Sequence, residues 1–226
     1  MPSILLPGSP PRFPPVDTAD EDGLLAVGGD LSPRRLLAAY DLGIFPWYDE
    51  GLPPLWWSPD PRAVLQDADL HVSRSLARTL RRGVFEITWD RAFAEVIRAC
   101  ADERDEGTWL LPEMIDAYEA LHELGHAHSV EAWKDGVLAG GLYGVHRGGL
   151  FAAESMFHRV TDASKAALVT AVRSLFRAGI EVFDVQLPTR HLTSLGATTW
   201  PRDRYVRRVA EVRKKPVRLD ELGMRF

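Results

Sequence analysis

The chain has 226 residues, of which 46% are hydrophobic and 26% charged, and this composition excludes wholesale disorder or a fibrous repeat. A formal charge of −5, from 27 basic and 32 acidic residues, argues at first against a nucleic-acid partner. The single cysteine, Cys100, excludes an intrachain disulfide and a cysteine-rich zinc site, and no apolar run approaches the ~20 residues of a membrane helix. We therefore expect a cytoplasmic monomer without a membrane partner.

Proline marks the start of the chain, because twelve of the sixteen prolines lie in the first 62 residues. Residues 1–62 are therefore predicted to form a small, loop-rich N-terminal domain. One helix is predicted in it, capped by Ser32, opened by Pro33 and ended by Gly43. The following segment, up to residue 62, contains three tryptophans and is predicted to be irregular because of its prolines.

Residues 63–226 have the regular hydrophobic periods of helices and strands and are predicted to form a second, catalytic domain. In chain order the pattern predicts a helix at 73–82, a strand at 84–90, helices at 91–101 and 112–125, three antiparallel strands at 128–134, 137–145 and 150–157, a long helix from 162 or 164 to 179, a strand at 180–186, a short helix to 196 and a basic helix at about 203–214.

A three-stranded meander, a long helix and a further strand resemble the acyltransferase fold that binds acetyl-coenzyme A. The predicted class is therefore α+β, with a GNAT-like acyltransferase domain behind the N-terminal domain. That fold holds a pyrophosphate on a glycine-rich turn at the start of the long helix. Here the corresponding segment, HRVTDASKAAL, contains no glycine, so coenzyme A is not the expected donor.

The segment from His122 to His126, HELGH, matches the zinc-protease signature. On a helix the two histidines would share a face and bind zinc, with Glu123 as general base. A third ligand is not evident, since Ser129 and Ala132 stand where the longer motif has glycine and histidine. The competing interpretation is a solvated helix whose C-terminal histidines interact favourably with the helix dipole.

Aromatic residues cluster around the proline-rich segment. Trp56 and Trp57 are expected to pin this segment to the core. Trp47 and Trp109 are better candidates for stacking on a base, a contact worth ~1–3 kcal/mol.

Charge is segregated along the chain. Arg74, Arg78, Arg81 and Arg82 follow one side of a predicted helix without an acidic residue, and residues 201–226 carry nine basic against four acidic residues. Two acid-poor basic elements indicate a phosphate backbone as partner and salt-dependent binding. Two basic faces without a partner remain the alternative.

Acidic and amide side chains stand at the ends of two predicted strands, where polar groups commonly converge on a reacting group. In a regular strand Asp184 and Gln186 point to the same side, so the acid can orient and polarise the amide. Glu154 ends the meander and serves either this site or an arginine as a structural partner.

These residues together carry a resemblance to one family. The segments LLAVGGDLSPRRLLAAYDLGIFPWY, WWSPDPRAVL, DEGTW, LHELGHAHSVEAW, LYGV, ESMFH, ASKAAL, DVQ and SLGA resemble the leucyl/phenylalanyl-tRNA–protein transferases in sequence and in order. The resemblance runs from about Leu24 to Tyr205. It places HELGH within the family's own pattern and implies no metal.

The resemblance implies a reaction without a cofactor. Leucine or phenylalanine, and less readily methionine, moves from the 3′ end of a charged tRNA to the α-amino group of a protein that begins with arginine or lysine. The product carries a degradation signal.

The resemblance also implies residue roles. Asp184 and Gln186 form a relay in which Asp184 orients the amide and the Gln186 carbonyl receives or orients the attacking amine, with direct base action by Asp184 as the competing version. Glu154 recognises the acceptor's basic residue. The aromatic contacts with the terminal adenosine come from Tyr40, Trp47, Trp109 and Tyr118. The pocket for the transferred side chain is formed by Leu142, Phe151 and Met156.

Four positions depart from the family pattern. Thr189 stands at a substrate-binding position where asparagine is expected, Val185 where cysteine is common, and Ala153 where a glycine precedes Glu154. Ala171 replaces a frequent aromatic, so we expect a larger pocket that accepts phenylalanine at least as well as leucine. A zinc-dependent hydrolase, a coenzyme A-dependent acyltransferase and a non-catalytic tRNA-binding protein are the alternatives.

Overall fold

The structure is a computed structural model that describes residues 2–102, 110–217, 219 and 222. Trp109, one of the predicted stacking residues, lies outside this part of the chain. Among the described residues no helix is both long and apolar enough to cross a membrane.

The N-terminal part of the chain forms the smaller of two β-sheets. Its elements are β1 (Ser3–Leu5), β2 (Leu24–Gly28), helix α1 (Pro33–Tyr40), β3 (Phe45–Pro46) and β4 (Leu55–Trp57). The strand order is β1-β2-β4-β3, with β1 parallel to β2 and the other pairs antiparallel.

The prediction that residues 44–62 are irregular is wrong, because β3 and β4 pair within this segment. Proline is compatible with short strands when it stands at their ends, and here the prolines flank β4. The indole Nε1 of Trp56 donates to the Gly28 carbonyl at 2.8 Å, and that of Trp57 donates to the Trp47 carbonyl at 2.6 Å. Trp56 is buried in the core and Trp57 packs against it, so the two tryptophans pin the segment to the core, as the sequence predicts.

The larger sheet has the order β11-β5-β10-β9-β8-β7-β6. Its strands and the helices between them are β5 (Arg62–Leu65), α2 (Arg74–Arg81), β6 (Glu86–Trp89), α3 (Phe93–Asp102), α4 (Pro112–Glu123), β7 (Ala127–Lys134), β8 (Val137–Arg147), β9 (Leu150–His158), α5 (Ala163–Arg177), β10 (Val182–Gln186), α6 (Arg190–Ser194), β11 (Thr198–Trp200) and α7 (Arg202–Val212).

The centre of this sheet confirms the predicted α+β class. Strands β7, β8 and β9 form the antiparallel meander, α5 is the long helix, and β10 returns parallel to β9. The sequence does not predict β5 or β11, because four and three residues are too few to show an alternating pattern. Both strands extend the sheet beyond β10.

The two sheets are joined through a shared core. Apolar side chains of α1 and of the smaller sheet belong to one buried cluster with α3 and α4, while α5 covers the opposite face of the larger sheet. Within the first cluster the hydroxyl oxygens of Tyr40 and Tyr118 lie 2.8 Å apart. Arg62, the last residue of the predicted N-terminal domain, is the first residue of β5.

Candidate active site

A pocket of about 440 Å³ opens where β9 and β10 part. The two strands pair only as far as Ala152 and Asp184, and beyond this point β9 continues to His158 while β10 runs to Gln186, paired only with β5. Side chains of β3, α5 and α6 complete the wall. The lining residues are Phe45, Pro46, Trp47, Leu142, Ala153, Glu154, Ser155, Met156, Leu168, Val185, Gln186, Leu187, Thr189, His191 and Leu192.

A β-bulge places Glu154 in this pocket. Tyr143 of β8 pairs with Ser155 and the next residue, Gly144, pairs with Ala153, so that Glu154 is the extra residue of β9. Bulges re-aim a side chain that regular alternation would point elsewhere. Position 144 is a glycine because a Cβ there would lie 2.4 Å from the Ala152 carbonyl oxygen.

A second bulge lies in β10. Asp184 pairs with Val64 and Gln186 pairs with Ala63, so that Val185 is the extra residue. Adjacent residues of a strand face opposite sides, so the partners of Val64 and Ala63 do the same. The expectation that the side chains of Asp184 and Gln186 share a face is therefore wrong. Gln186 has φ +55°, in the left-handed region, and its main-chain N–H donates to Asp184 Oδ1 at 3.0 Å.

Asp184 is fully buried, and each of its oxygens accepts two hydrogen bonds. Arg62 donates from Nε to Oδ1 at 2.8 Å and from Nη2 to Oδ2 at 2.6 Å, and the Tyr205 hydroxyl donates to Oδ2 at 2.8 Å. The guanidinium of Arg62 is itself enclosed between the rings of Phe45 and Tyr205, 4.6 and 4.7 Å from their centroids. The Gln186 main-chain N–H is the fourth donor, so the hydrogen bonds of the Asp184 carboxylate are all made within the fold around Gln186.

Glu154 receives hydrogen bonds from two directions. The Tyr118 hydroxyl donates to Oε2 at 3.1 Å, and the Gln186 amide Nε2 donates to Oε1 at 3.2 Å. Burial raises the pKa of Glu154 to about 8, and the nearby Asp184 charge adds to this increase. Hydrogen bonds from Tyr40 and Tyr118 and the charge of Arg62 act in the opposite direction.

Six of the predicted site residues line the pocket: Trp47, Leu142, Glu154, Met156, Gln186 and Thr189. Thr189 also caps α6, since its Oγ1 accepts from the Leu192 N–H at 3.2 Å.

Four other predicted residues lie behind the pocket wall. Tyr40 and Tyr118 are at most 1% exposed and contact Glu154 from inside the core, so they do not present a stacking surface to the pocket. Phe151 is fully buried against Phe183, and Asp184 is buried as described.

Ala171, the position expected to enlarge the pocket, is also fully buried and does not line it. Leu168, one helical turn earlier on α5, forms that part of the wall instead. The small side chain at position 171 therefore does not enlarge the pocket, contrary to the expectation from the sequence.

Sequence patterns miss two residues that shape the site, Arg62 and Tyr205. Arg62 stands in the short apolar segment RAVL, and a buried charge requires a partner. That requirement is the signal that could have indicated a pairing with a buried acid.

The predicted basic side of α2 is exposed. Arg74, Arg78, Arg81 and Arg82 all face solvent, and within the described residues none of them forms an ion pair. The segment before α2 is bonded to the end of α6, because the His71 N–H donates to the Leu195 carbonyl at 2.9 Å. Since α6 lines the pocket, α2 begins close to the pocket.

The arginines of α7 are placed differently. Arg207 pairs with Asp203, Arg208 pairs with Glu211 and Glu181, and Arg204 lies over the Trp200 ring at 4.2 Å. Within the residues that the structure describes, Arg207 and Arg208 therefore already have acidic partners, unlike the arginines of α2.

The HELGH segment lacks the geometry of a zinc helix. Helix α4 ends at Glu123, and Gly125 has φ +73°, so His122 and His126 do not share a helical face. His122 Nδ1 lies 2.8 Å from the Ala127 carbonyl and its ring stacks on Phe93 at 4.2 Å. In the described part of the chain no three His, Cys, Asp or Glu side chains are grouped to hold a metal ion.

Comparisons with known proteins agree on one family. Residues 64–210 match the family described as leucyl/phenylalanyl-tRNA protein transferase, and residues 29–60 match its N-terminal domain. The leucyl/phenylalanyl-tRNA–protein transferase of Syntrophobacter fumaroxidans is 57% identical over 202 residues, which cover 88% of this chain and 86% of the relative. That of Syntrophotalea carbinolica is 53% identical over 214 residues, 93% of each chain.

Solved structures are more distant. L-PGS from Bacillus licheniformis matches 73% of this chain and 53% of its own length with a TM-score of 0.40 and 12% identity. A GCN5-related N-acetyltransferase-like protein from Streptococcus suis matches 71% and 61% with a TM-score of 0.34 and 13% identity. TM-scores of this size carry no argument, so the fold assignment rests on the strand order and the family on the sequence matches.

Proposed function

This chain belongs to the leucyl/phenylalanyl-tRNA protein transferase family, and on that premise we propose that it moves leucine or phenylalanine from tRNA to proteins beginning with arginine or lysine. We assign this reaction to the pocket because Glu154 and Gln186 are hydrogen-bonded to each other within its largely apolar lining. Because charged tRNA is a substrate of the proposed reaction, we also propose that the protein acts in the cytoplasm.

The reaction is the aminolysis of an ester. The α-amino nitrogen of the acceptor attacks the aminoacyl carbonyl carbon, an amide bond forms, and the bond to the ribose oxygen breaks. The amine loses a proton and the ribose oxygen gains one. The ester is already activated, so the enzyme contributes positioning of both substrates and stabilisation of the tetrahedral oxyanion. Neither a nucleophilic side chain nor a cofactor is required for this step.

The transferred side chain fits the apolar part of the pocket. Leu142, Met156 and Leu168 provide aliphatic surface there. Such a surface distinguishes side chains that differ by one methylene by only ~1–3 kcal/mol. Slower transfer of methionine is therefore expected beside leucine and phenylalanine.

Gln186 is the side chain we assign to the attacking amine. Its amide nitrogen faces Glu154, which leaves the carbonyl oxygen to accept a hydrogen bond from the amine. Asp184 holds the main chain of Gln186 in its left-handed conformation rather than acting as the base, because all four of its acceptor positions are occupied.

Glu154 is the residue we assign to the basic first side chain of the acceptor. A guanidinium or ammonium in the pocket favours the ionised carboxylate and lowers its pKa from about 8. An acceptor that begins with a neutral residue gives no such stabilisation. This difference accounts for a preference for arginine and lysine.

The tRNA is assigned to the side of the pocket next to α2. Trp47 is 40% exposed at the pocket and is the described aromatic side chain available for stacking on the terminal adenosine. The exposed arginines of α2 provide positive charge for the phosphates of the acceptor arm.

We propose a monomer with an N-terminal domain at 1–62 and a catalytic domain at 63–226.

The test uses the purified full-length protein and tRNA charged with radiolabelled leucine or phenylalanine. Peptides beginning with arginine or lysine are expected to acquire label, whereas a matched peptide beginning with alanine is not. Equal labelling of all three peptides would contradict the acceptor assignment. Acetyl transfer from acetyl-coenzyme A, or hydrolysis that a chelator abolishes, would instead favour one of the alternative enzymes.

A further inference from the structure

We propose that Tyr118 and Tyr40 are positioning residues that fix the orientation of the Gln186 amide through Glu154, an inference that rests on the proposed function. The resemblance implies contacts of these tyrosines with the terminal adenosine. Their burial, at 0% and 1% exposure, instead directs both hydroxyl groups toward the carboxylate behind the pocket.

A continuous chain of hydrogen bonds connects the four side chains. The Tyr40 and Tyr118 hydroxyls lie 2.8 Å apart, the Tyr118 hydroxyl donates to Glu154 Oε2 at 3.1 Å, and Gln186 Nε2 donates to Glu154 Oε1 at 3.2 Å. The chain begins on α1 in the N-terminal part of the molecule, crosses α4, and ends in the pocket. Two helices therefore support the carboxylate from inside the core, behind the pocket.

The ionised carboxylate decides which end of the amide faces it. A carboxylate can only accept hydrogen bonds, so it selects the NH₂ end of Gln186 and turns the carbonyl end away. The carbonyl is the end that accepts a hydrogen bond from the attacking amine. The hydrogen bond that the Tyr118 hydroxyl donates favours the ionised form of Glu154 and also holds the plane of its carboxylate.

Protonation of Glu154 removes this selection. The protonated carboxyl donates a hydrogen bond and pairs equally well with the carbonyl end of the amide, in which case the NH₂ group faces the amine. The groups that face Glu154 are Tyr40 from α1, Tyr118 from α4, Asp184 from β10 and Arg62 from β5. With a pKa of about 8 for Glu154 in the free protein, the kcat/KM for transfer is expected to rise with pH up to this region.

The test variant is Tyr118→Phe, which removes one hydroxyl and keeps the buried ring. The kcat for transfer is expected to fall by roughly tenfold, in line with the loss of a hydrogen bond to a charged group, while the KM for aminoacyl-tRNA stays within about twofold. The pKa of Glu154 loses a lowering contribution, so the rise of kcat/KM with pH is expected at higher pH than in the wild type.

The matched control is Tyr48→Phe. Tyr48 is buried and its hydroxyl donates to Glu113 Oε1 at 3.3 Å, outside the chain that ends at Gln186. It is expected to keep both the kcat and the pH profile of the wild type. Tyr40→Phe is the second test variant and is expected to shift the pH profile in the same direction, because a hydrogen bond from Tyr40 also lowers the pKa of Glu154.

Different results would reject the proposed function and the positioning role of Tyr118. No labelling of any peptide by the wild-type protein would reject the proposed function. A wild-type protein that transfers leucine, together with a folded Tyr118→Phe variant of unchanged kcat and unchanged pH profile, would reject the positioning role alone. If Tyr118→Phe increased the KM for aminoacyl-tRNA and left kcat unchanged, Tyr118 would instead be a residue that contacts the tRNA substrate.

Discussion

Arg62 and Asp184 form a two-point ion pair in the interior of the larger sheet, with N–O distances of 2.8 and 2.6 Å and both side chains at most 1% exposed. The residues are 122 positions apart in the chain and lie on the paired strands β5 and β10. This pair links β5 to β10 behind the pocket and holds the end of β10, where Gln186 lies.

Removal of the arginine from this pair is expected to destabilise the protein strongly. Arg62→Met leaves a buried, unpaired carboxylate, which typically costs about 3–5 kcal/mol of the free energy of unfolding. The matched control is Arg91→Met, since Arg91 pairs with Glu86 at the surface and such pairs contribute about 0–1 kcal/mol. Urea unfolding of the three proteins measures both effects. Equal midpoints for the two variants would show that the buried pair has no special weight.

Shortening Gln186 is expected to impair transfer without unfolding the protein. Gln186→Asn is tolerated at φ +55°, because asparagine adopts the left-handed region more readily than most residues, but its amide is retracted by one methylene. A roughly 100-fold loss of kcat is expected from the loss of one positioned polar contact. Labelling of an arginine-initiated peptide gives the rate, and thermal unfolding reports on the fold. Full activity in a folded variant would remove Gln186 from the site.

Phenylalanine is expected to be transferred at least as well as leucine, because the pocket of about 440 Å³ has room for the larger ring. Leu168→Ala enlarges the wall further and is expected to shift the preference toward phenylalanine by roughly tenfold. The comparison is the ratio of kcat/KM for the two charged tRNAs. A strong preference of the wild-type protein for leucine would contradict this prediction.

Binding of tRNA is expected to weaken with salt through the arginines of α2. Each arginine that neutralises a phosphate adds about 0.7–0.9 to the slope of log affinity against log salt. The double variant Arg74→Gln/Arg78→Gln is therefore expected to have a shallower slope by up to twice that amount. Arg207→Gln is the control, because Arg207 is occupied by Asp203. The slopes are obtained from the affinity for tRNA measured at several salt concentrations. An unchanged slope in the double variant would show that the RNA does not contact this part of α2.

Glu154 is expected to make the stability of the fold depend on pH. Its pKa is about 8 in the folded protein against 4.5 in the unfolded chain, so the folded state binds more protons between these values and the free energy of unfolding falls as pH rises through them. Glu154→Gln has no proton to lose and is expected to show a shallower fall over the same interval. Denaturant unfolding at pH 5, 6, 7 and 8 gives the two slopes. Parallel slopes would mean that Glu154 titrates normally.

The helices and the meander could be predicted from the sequence because each has a clear internal period. Helix α5 repeats its apolar residues at helical spacing over fifteen residues, and tight turns with glycine separate β7, β8 and β9. Strands β5 and β11 could not be predicted, since their three or four residues gain stability only from neighbours far along the chain.

The geometry of the site was less accessible than its residue types. Glu154 and Gln186 could be identified as candidates, but the bulges that aim them depend on the register between strands, which alternation within one strand does not reveal. For the same reason the partner of Asp184 could not be found among its neighbours in sequence. Tyr40 and Tyr118 show the converse, because their aromatic character is visible in the sequence but the burial of both rings is not.

The hydrogen bond between Tyr40 of α1 and Tyr118 of α4 joins the N-terminal region to the rest of the site and has an evolutionary consequence. The N-terminal region supplies Tyr40 and Trp47, and the other members of the site come from the larger sheet and its helices, so neither region holds a complete site by itself. Recombination that joined either region to a foreign partner would break hydrogen bonds on which the pocket depends. The two regions are therefore expected to be inherited together, as a single unit of selection.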